Sequence, residues 1–280
     1  MDILYLQNTN NGTFKEVLPE LKAVGLELTK EGPSGNVFVL RLCANENRFN
    51  PSFLKGLLTA LDVVERAEGP TALLTLGEGE FFSNGLDLKW LAKNEDRGDE
   101  FLRLFMGVLA RFLSSSVPTV AAINGHAYGG GLLFALTHDY RLMATQRGFC
   151  CMPEIELGFP LTPGMTAIAR AKLRKQTTRN LLLLSKRYTG AEALAEGIVD
   201  EAVQEQDALF PQALQVAARL SQKAGLNRAA VRALKQEVYA RPFNMLTDGG
   251  LGQAHVRFGK DRSGGGASAA ASDDHLRANL

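Results

Sequence analysis

The chain has 280 residues, 45% hydrophobic and 22% charged, which is the balance of a folded protein long enough to bury a core unaided. Thirty-one basic residues against thirty acidic leave a net charge of +1, so nothing electrostatic points to a nucleic-acid or membrane partner. The three cysteines, Cys43 and the adjacent Cys150 and Cys151, do not make a disulfide framework and suit a reducing compartment.

Residues 1–22 read as an N-terminal extension with no element assigned, lacking both the basic-then-apolar pattern of a secretory leader and the arginines of a transit peptide. Alternation over 26–29, a break at Gly32-Pro33-Ser34-Gly35 and a second strand over 37–43 predict a hairpin. Pro51 opens a helix that carries Phe53, Leu54, Leu57, Leu58, Leu61 and Val64 at helical spacing, and Gly69-Pro70 stops it. A strand over 71–76, a helix over 102–113 and a strand over 118–123 follow. A further helix starts within 129–133 and runs to about His138, before a strand over 140–144. This order of strand and helix predicts an α/β architecture. Beyond Pro163 the pattern turns mainly helical: a short helix from Ala191 ended by Gly197, a last strand over 198–203, and closing helices over 209–220, 228–239 and 246–258. Residues 263–272 form a Gly/Ala/Ser tract, and 261–280 read as a flexible tail. No run of about 18 apolar residues suggests a transmembrane helix.

Three segments carry possible chemistry. Phe81-Phe82-Ser83-Asn84-Gly85-Leu86-Asp87-Leu88 follows a strand, and its glycine lets the backbone turn sharply and expose an N–H. A plain connecting turn with both phenylalanines in the core is the more ordinary explanation of this segment taken alone. Asn124-Gly125-His126-Ala127-Tyr128-Gly129-Gly130-Gly131 opens a helix with three glycines, a conformational cost commonly accepted where a ligand approaches the backbone. The free N–H groups and positive dipole end of that helix suit a developing oxyanion, although tight packing of glycine faces is the alternative. The run lacks the lysine of a P-loop and the spacing of a dinucleotide-binding motif. Cys151-Met152-Pro153-Glu154-Ile155-Glu156-Leu157-Gly158 places Glu154 among apolar neighbours, where desolvation raises a carboxyl pKa. Glu156 is the rival, and a solvated loop charge is the ordinary fate of either.

Together and in this order, Phe82-Ser83-Asn84-Gly85-Leu86-Asp87-Leu88, the stretch 118–131 and Met152-Pro153-Glu154-Ile155-Glu156-Leu157-Gly158 resemble the enoyl-CoA hydratase/isomerase, or crotonase, superfamily. Tyr188-Thr189-Gly190-Ala191-Glu192-Ala193-Leu194, continuing to Asp200, resembles that family's later helix–strand signature. The resemblance implies a spiral of β-β-α turns over 23–205, a C-terminal helical region over 206–260, and assembly into trimers or paired trimers. It implies an acyl substrate carried as a coenzyme A thioester, with no separate cofactor and no metal. Leu86 and Gly130 are the implied oxyanion-hole N–H donors, and removing one such donor typically costs about 3–4 kcal/mol. Ser83, Asn84, Gly85, Asp87, Gly129 and Leu133 are implied to border the substrate.

The acids select the reaction within the family. Family hydratases use two glutamates, and the first of these positions is Leu133 here, which cannot activate water. Glu154 occupies the second, and Gly158-Phe159-Pro160-Leu161-Thr162 supplies no aspartate of the dienoyl-isomerase kind. One surviving glutamate resembles the isomerases that convert 3-enoyl-CoA to 2-enoyl-CoA in unsaturated fatty acid β-oxidation, and the run 130–142 looks particularly like their peroxisomal members. Another reaction of the family, hydration or thioester hydrolysis, and a non-catalytic binding protein are the alternatives. The final Ala278-Asn279-Leu280 is a degraded match to the S-K-L peroxisomal address, with Asn279 where a basic residue is usual; a cytoplasmic location is the alternative. His138 and Asp139 read as structural, His126 as helix-entry packing or a ligand contact, and Asp87 as a cap. Arg48 and Lys260 are weak candidates for phosphate, and Trp90, Phe101 and Phe105 for an acyl pocket.

Overall fold

A computed structural model of the chain describes residues 14–32, 36–224 and 227–256. Helix α1 (Phe14–Ala23), in the stretch that the sequence pattern left partly unassigned, tucks Val17 and Leu21 against the start of the fold. β1 (Leu26–Glu31) and β2 (Val37–Leu42) form the expected antiparallel hairpin. Asn50 then caps α2 (Pro51–Arg66) by accepting the Phe53 N–H, while Pro51 takes the first helical position, where no N–H is needed.

From there the chain repeats one unit: a strand of a large sheet, a short strand of a second sheet, then helix. The first unit is β3 (Ala72–Gly77), β4 (Phe81–Ser83), α3 (Leu88–Lys93) and α4 (Gly98–Leu113). The second is β5 (Thr119–Ile123), β6 (His126–Tyr128) and α5 (Gly130–Thr137). The third is β7 (Tyr140–Ala144), β8 (Cys150–Cys151) and α6 (Glu154–Leu157), followed by α7 (Pro163–Lys172), α8 (Lys175–Leu184) and α9 (Gly190–Ala195). β9 (Glu201–Val203) closes a six-stranded sheet of order β1-β2-β3-β5-β7-β9, parallel except for the first pair. β4, β6 and β8 form a separate parallel sheet of three. This is the β-β-α spiral that the resemblance implied. The final helices are α10 (Gln206–Ala224), α11 (Arg228–Val238) and α12 (Ala240–Thr247). No described helix is long and apolar enough to cross a membrane.

The large sheet is covered on both faces, which explains why its parallel strands read as unbroken apolar runs. On one face Leu73, Ala121, Ile123 and Met143 join the residues of α2, α4 and α5 in the main core. On the other face Val39, Leu74, Val120, Ala122 and Leu142 pack against Leu209, Ala213, Val216 and Ala217 of α10.

Several boundaries differ from the sequence pattern: α4 starts at Gly98 rather than 102, and α10 spans Gln206–Ala224 rather than 209–220. The last strand begins at Glu201, because Ile198 and Val199 are buried in the turn that follows Gly197. The last helix spans Ala240–Thr247 rather than 246–258, with a separate 3-10 turn at Gly252–Val256. Pro242 sits in the first turn of α12, where missing N–H donors cost nothing, and Gly249-Gly250 lets the chain fold back against Met245. Positions 257 and 258 lie outside the described residues.

α11 is held by charge, with no fully buried residue. Arg228 donates to the carbonyls of Glu65 and Gly69, Arg232 pairs with Glu65 at 2.7 Å, and Lys235 pairs with Asp139 at 2.6 Å. Glu65 is the hub, since it also takes Arg111 at 3.0 Å and the Ser116 N–H at 2.8 Å. Burial pushes its carboxyl pKa up, but Arg232, the Ser116 N–H and Arg111 outweigh this and hold it below the usual range. Removing one member of a buried ion network leaves its partners desolvated. Glu65→Ala is therefore expected to lower the unfolding free energy by about 3 kcal/mol in urea titration; a loss below about 0.5 kcal/mol, the size of a surface change, would refute the buried network.

Candidate active site

The site lies where the three units meet. After β4, Ser83 leads into a turn in which Gly85 has φ +72°, a conformation glycine adopts without strain. The next unit repeats the move at Gly129, with φ +50° and ψ −116°, just before α5. The two turns then interlock. A Cβ on Gly85 would lie 2.8 Å from the Tyr128 carbonyl oxygen and 3.0 Å from the Gly130 nitrogen. A Cβ on Gly131 would collide with the Ser83 carbonyl and lie 2.9 Å from the Ser83 Cβ.

This close approach brings the Leu86 and Gly130 amides together on the wall of one cleft. Neither N–H has a backbone acceptor among the described residues. Around Leu86, the Phe49 N–H donates to Gly85 and the Asp87 N–H to Phe49, skipping Leu86 itself. Gly130 is the first residue of α5, where helical geometry offers its N–H no partner. Two unpaired donors side by side at a helix start make a site for negative charge.

The third unit delivers the carboxylate. β8 ends at Cys151, and after Pro153 the four-residue α6 starts on Glu154 and stops at Gly158. Glu154 lines the same cleft, and its Oε1 lies where a Cβ on Gly129 would approach within 2.8 Å. Its Oε2 is shut off from solvent and has no hydrogen-bond partner. Burial pushes its pKa from 4.5 up to about 7, outweighing its own backbone N–H, which pulls the other way. Glu156, the rival acid, is exposed and does not line the cleft.

The cleft is open to solvent, and together with the solvent space at its mouth it spans about 580 Å³. Its remaining wall is almost wholly apolar: Leu88, Phe105, Leu133, Leu157, Phe159, Leu161 and Met165, with Arg48 and Asn84 as the polar side chains besides Glu154 and Tyr128. Leu133 is fully buried there and contributes an apolar side chain.

Of the residues expected to border the substrate, Asn84, Gly85, Leu86, Gly129, Gly130, Leu133 and Glu154 come together on the cleft, whereas Ser83 and Asp87 do not line it. The Ser83 hydroxyl donates to the Asn47 carbonyl and accepts the Gly85 N–H. The Asp87 carboxylate caps α3 by accepting the Trp90 N–H. Phe105 lines the cleft, while Trp90 and Phe101 pack on each other at a tilt of 54° beyond it, ring centroids 5.2 Å apart. Arg48 pairs with Glu46 at 2.6 Å on the cleft edge. Lys260 lies outside the described residues. His138 is buried, its ring nitrogens 3.0 Å from the Phe134 carbonyl and the Thr75 hydroxyl, and burial lowers its pKa to about 4. Asp139 anchors Thr119 and Lys235. His126 stands away from the cleft among Phe81, Tyr128 and Phe149, accepting the Phe149 N–H. The three cysteines are free thiols. Among the described residues Glu27, Cys43 and Glu78 bring metal-ligand atoms together, and none of them lines the cleft.

Sequence reasoning missed Leu157, Phe159, Leu161 and Met165. The signal was present as alternation: Leu157, Phe159 and Leu161 are part-buried, while Gly158 and Pro160 between them are exposed.

Comparison with known proteins places the chain in a family. A family model described as enoyl-CoA hydratase/isomerase matches residues 34–249. The Arabidopsis thaliana protein named enoyl-CoA delta isomerase 3 is 40% identical over 176 residues, 60% of this chain and 74% of that one. Carnitinyl-CoA dehydratase of Citrobacter koseri is 32% identical over 225 residues, 80% of this chain and 84% of the relative. Among solved structures, an enoyl-CoA isomerase of Mycobacterium tuberculosis superposes with a TM-score of 0.72 at 25% identity, covering 81% of this chain and 96% of that one. An enoyl-CoA hydratase of Mycobacterium marinum gives 0.73 at 24% identity, over 84% of this chain and 100% of the other, a likeness of fold. With the family model spanning most of the chain and the interlocked turns in place, the protein belongs to the enoyl-CoA hydratase/isomerase family.

Proposed function

We propose that the protein moves the double bond of a 3-enoyl-CoA into conjugation, giving trans-2-enoyl-CoA, a step of unsaturated fatty acid β-oxidation. The observation that carries this reading is the single carboxylate on the cleft, half-buried Glu154 with Oε2 shut off from solvent and unpartnered, where the other candidate acid position is the buried Leu133.

Glu154, as carboxylate, takes a proton from C2. The electron pair delocalises through the thioester carbonyl and the C3–C4 double bond, forming a dienolate. The Leu86 and Gly130 N–H groups hold the oxygen that gains charge, a contact stronger in the transition state than in the substrate. The protonated Glu154 returns the proton at C4, and the double bond is left between C2 and C3. The reaction is redox-neutral and uses one acid on one face, so it requires no cofactor beyond the coenzyme A of the substrate and no metal. Water has no second acid to activate it, which disfavours hydration. The isomerase names of the Arabidopsis relatives support the same choice, and the dehydratase name of the Citrobacter relative supports hydration as the competing reading.

The direct measurement follows the absorbance of the conjugated product. A 3-enoyl-CoA is expected to react, a 2-enoyl-CoA to gain no water, and saturated acyl-CoA to remain unhydrolysed. Glu154→Gln is expected to lose at least about 10³-fold in kcat while staying folded, as the loss of a proton-transfer group does. Water addition to 2-enoyl-CoA as the faster reaction would replace the isomerase reading with hydration. Binding of acyl-CoA without any turnover would leave a binding protein.

The position of the Glu154 pKa fixes two pH dependences. The base form is needed, so kcat/KM is expected to fall tenfold per unit as pH drops below about 7. Stability runs the opposite way. The unfolded carboxyl ionises near 4.5 and the folded one near 7, so the folded state holds the extra proton between them. Ionisation then disfavours folding as pH rises through that window, by up to about 3 kcal/mol above pH 7. Glu154→Gln is therefore expected to raise the melting temperature at pH 8 and to leave it unchanged near pH 4; equal effects at both would show that the carboxyl is not raised.

Two further parts of the proposal concern context. Ile155 on α6 and Leu183 and Leu184 on α8 are exposed apolar side chains, which supports assembly into trimers or paired trimers, readable by light scattering. A peroxisomal location is supported by Ala278-Asn279-Leu280, outside the described residues, and by the word peroxisomal in the names of two Arabidopsis relatives. Deleting that tripeptide is expected to disperse a fluorescent fusion into the cytosol.

A further inference from the structure

The segment joining β2 to α2 contributes only Arg48 to the cleft, yet it is bonded to almost every turn of the backbone that presents Leu86. Asn47 is its centre. It is completely buried and held at φ +51°, a region that asparagine tolerates better than other side-chain-bearing residues but that still costs free energy. Strain of this kind persists where the surroundings over-determine it, and it concentrates near functional sites.

The surroundings here are specific. The Asn47 amide nitrogen donates to the Phe81 carbonyl at 3.1 Å and the Phe82 carbonyl at 3.2 Å, the two carbonyls of β4 before Ser83. Its amide oxygen accepts the Ala44 N–H at 2.9 Å, closing its own turn. Its backbone carbonyl accepts the Ser83 hydroxyl at 2.7 Å, and that hydroxyl in turn accepts the Gly85 N–H at 3.1 Å. Next to it, Glu46 accepts the Asn84 N–H at 2.9 Å, and Phe49 donates to Gly85 at 2.7 Å. The backbone before and after Leu86 is thus tied down, and the Leu86 N–H is left over.

We propose that Asn47 is a positioning residue for the oxyanion hole, fixing the end of β4 and, through the Ser83 hydroxyl, the peptide that aims the Leu86 N–H at the thioester oxygen. The proposal rests on the enolate-forming reading above. The chemistry requires this residue type: two carbonyls must be met by one group with two N–H donors, on a side chain short enough to act from a left-handed backbone. Aspartate has the shape and no donors; glycine has the backbone and no side chain.

The test is Asn47→Gly, which keeps the permitted φ and deletes the three side-chain bonds. Three quantities are measured in the purified full chain: kcat and KM with a 3-enoyl-CoA, the Kd of a saturated acyl-CoA, and the Kd of a 3-oxoacyl-CoA, which binds as its planar enolate and is followed by near-ultraviolet absorbance. A misplaced donor is expected to lower kcat roughly 10- to 100-fold and to weaken the 3-oxoacyl-CoA by a similar factor, while KM and the saturated Kd move less than about twofold. A merely structural role would weaken both ligands alike. That result, or wild-type kcat in the folded variant, overturns the proposal. Ser83→Ala breaks the same relay more gently and carries the same expectation if Asn47→Gly does not fold. If the wild-type protein fails to isomerise 3-enoyl-CoA yet its enolate affinity still falls selectively in the variant, the reaction assignment fails and the positioning role stands. A wild-type protein that binds neither ligand overturns both.

Discussion

At Gly131 there is room for a hydrogen atom and nothing larger, because the Ser83 carbonyl occupies the place of a side chain. Gly85 meets Tyr128 and Gly130 in the same way. Two strand–turn–helix units are pressed together backbone to backbone, at a separation that no side chain permits. Everything at the site depends on that separation. It sets the Leu86 and Gly130 amides side by side, and it opens the space beside Gly129 into which Glu154 reaches. Close packing makes such a contact stiff, since a dense interior cannot relax by half an ångström without loss elsewhere.

The electrostatic behaviour follows from the same geometry. A carboxylate among leucines, a methionine and phenylalanines loses its hydration, and nothing in the cleft returns that energy through a hydrogen bond to Oε2. Its proton affinity therefore rises until taking and giving a proton near neutrality are about equally easy. The amides work in the opposite sense: they are fixed dipoles, already oriented, and under the proposed reaction they would meet a developing charge without reorganising. One side of the cleft is tuned by what it lacks and the other by what it holds in place.

Much of this was legible in the amino-acid order. The apolar runs of β3, β5 and β7 are long enough to identify, and the Pro51 and Gly69-Pro70 signals bound α2 well. The glycine triplet and Gly85 marked the two turns because their cost demanded a reason. The second sheet was not legible, since strands of two or three residues such as β8 are too short to show any period. α6 escaped for the same reason, having only four residues. Asn47 was invisible as well: a buried asparagine looks like any loop asparagine until its positive φ and its carbonyl partners are seen. Residues that touch the cleft from a distant segment, such as Met165, depend on tertiary placement and carry no local mark.

The large sheet divides the interior into two separate cores, and their division of labour is uneven. The cleft draws its buried apolar wall, Phe105, Leu133 and Met165, from the core under α2, α4 and α5. The core between the sheet and α10 contributes none of the cleft-lining residues. Substitutions there alter how firmly the fold holds without reshaping the cleft wall, whereas those at Phe105, Leu133 or Met165 on the opposite face touch stability and the cleft at once. The architecture thus gives this chain one compartment in which sequence can drift without reaching the cleft and another in which it cannot.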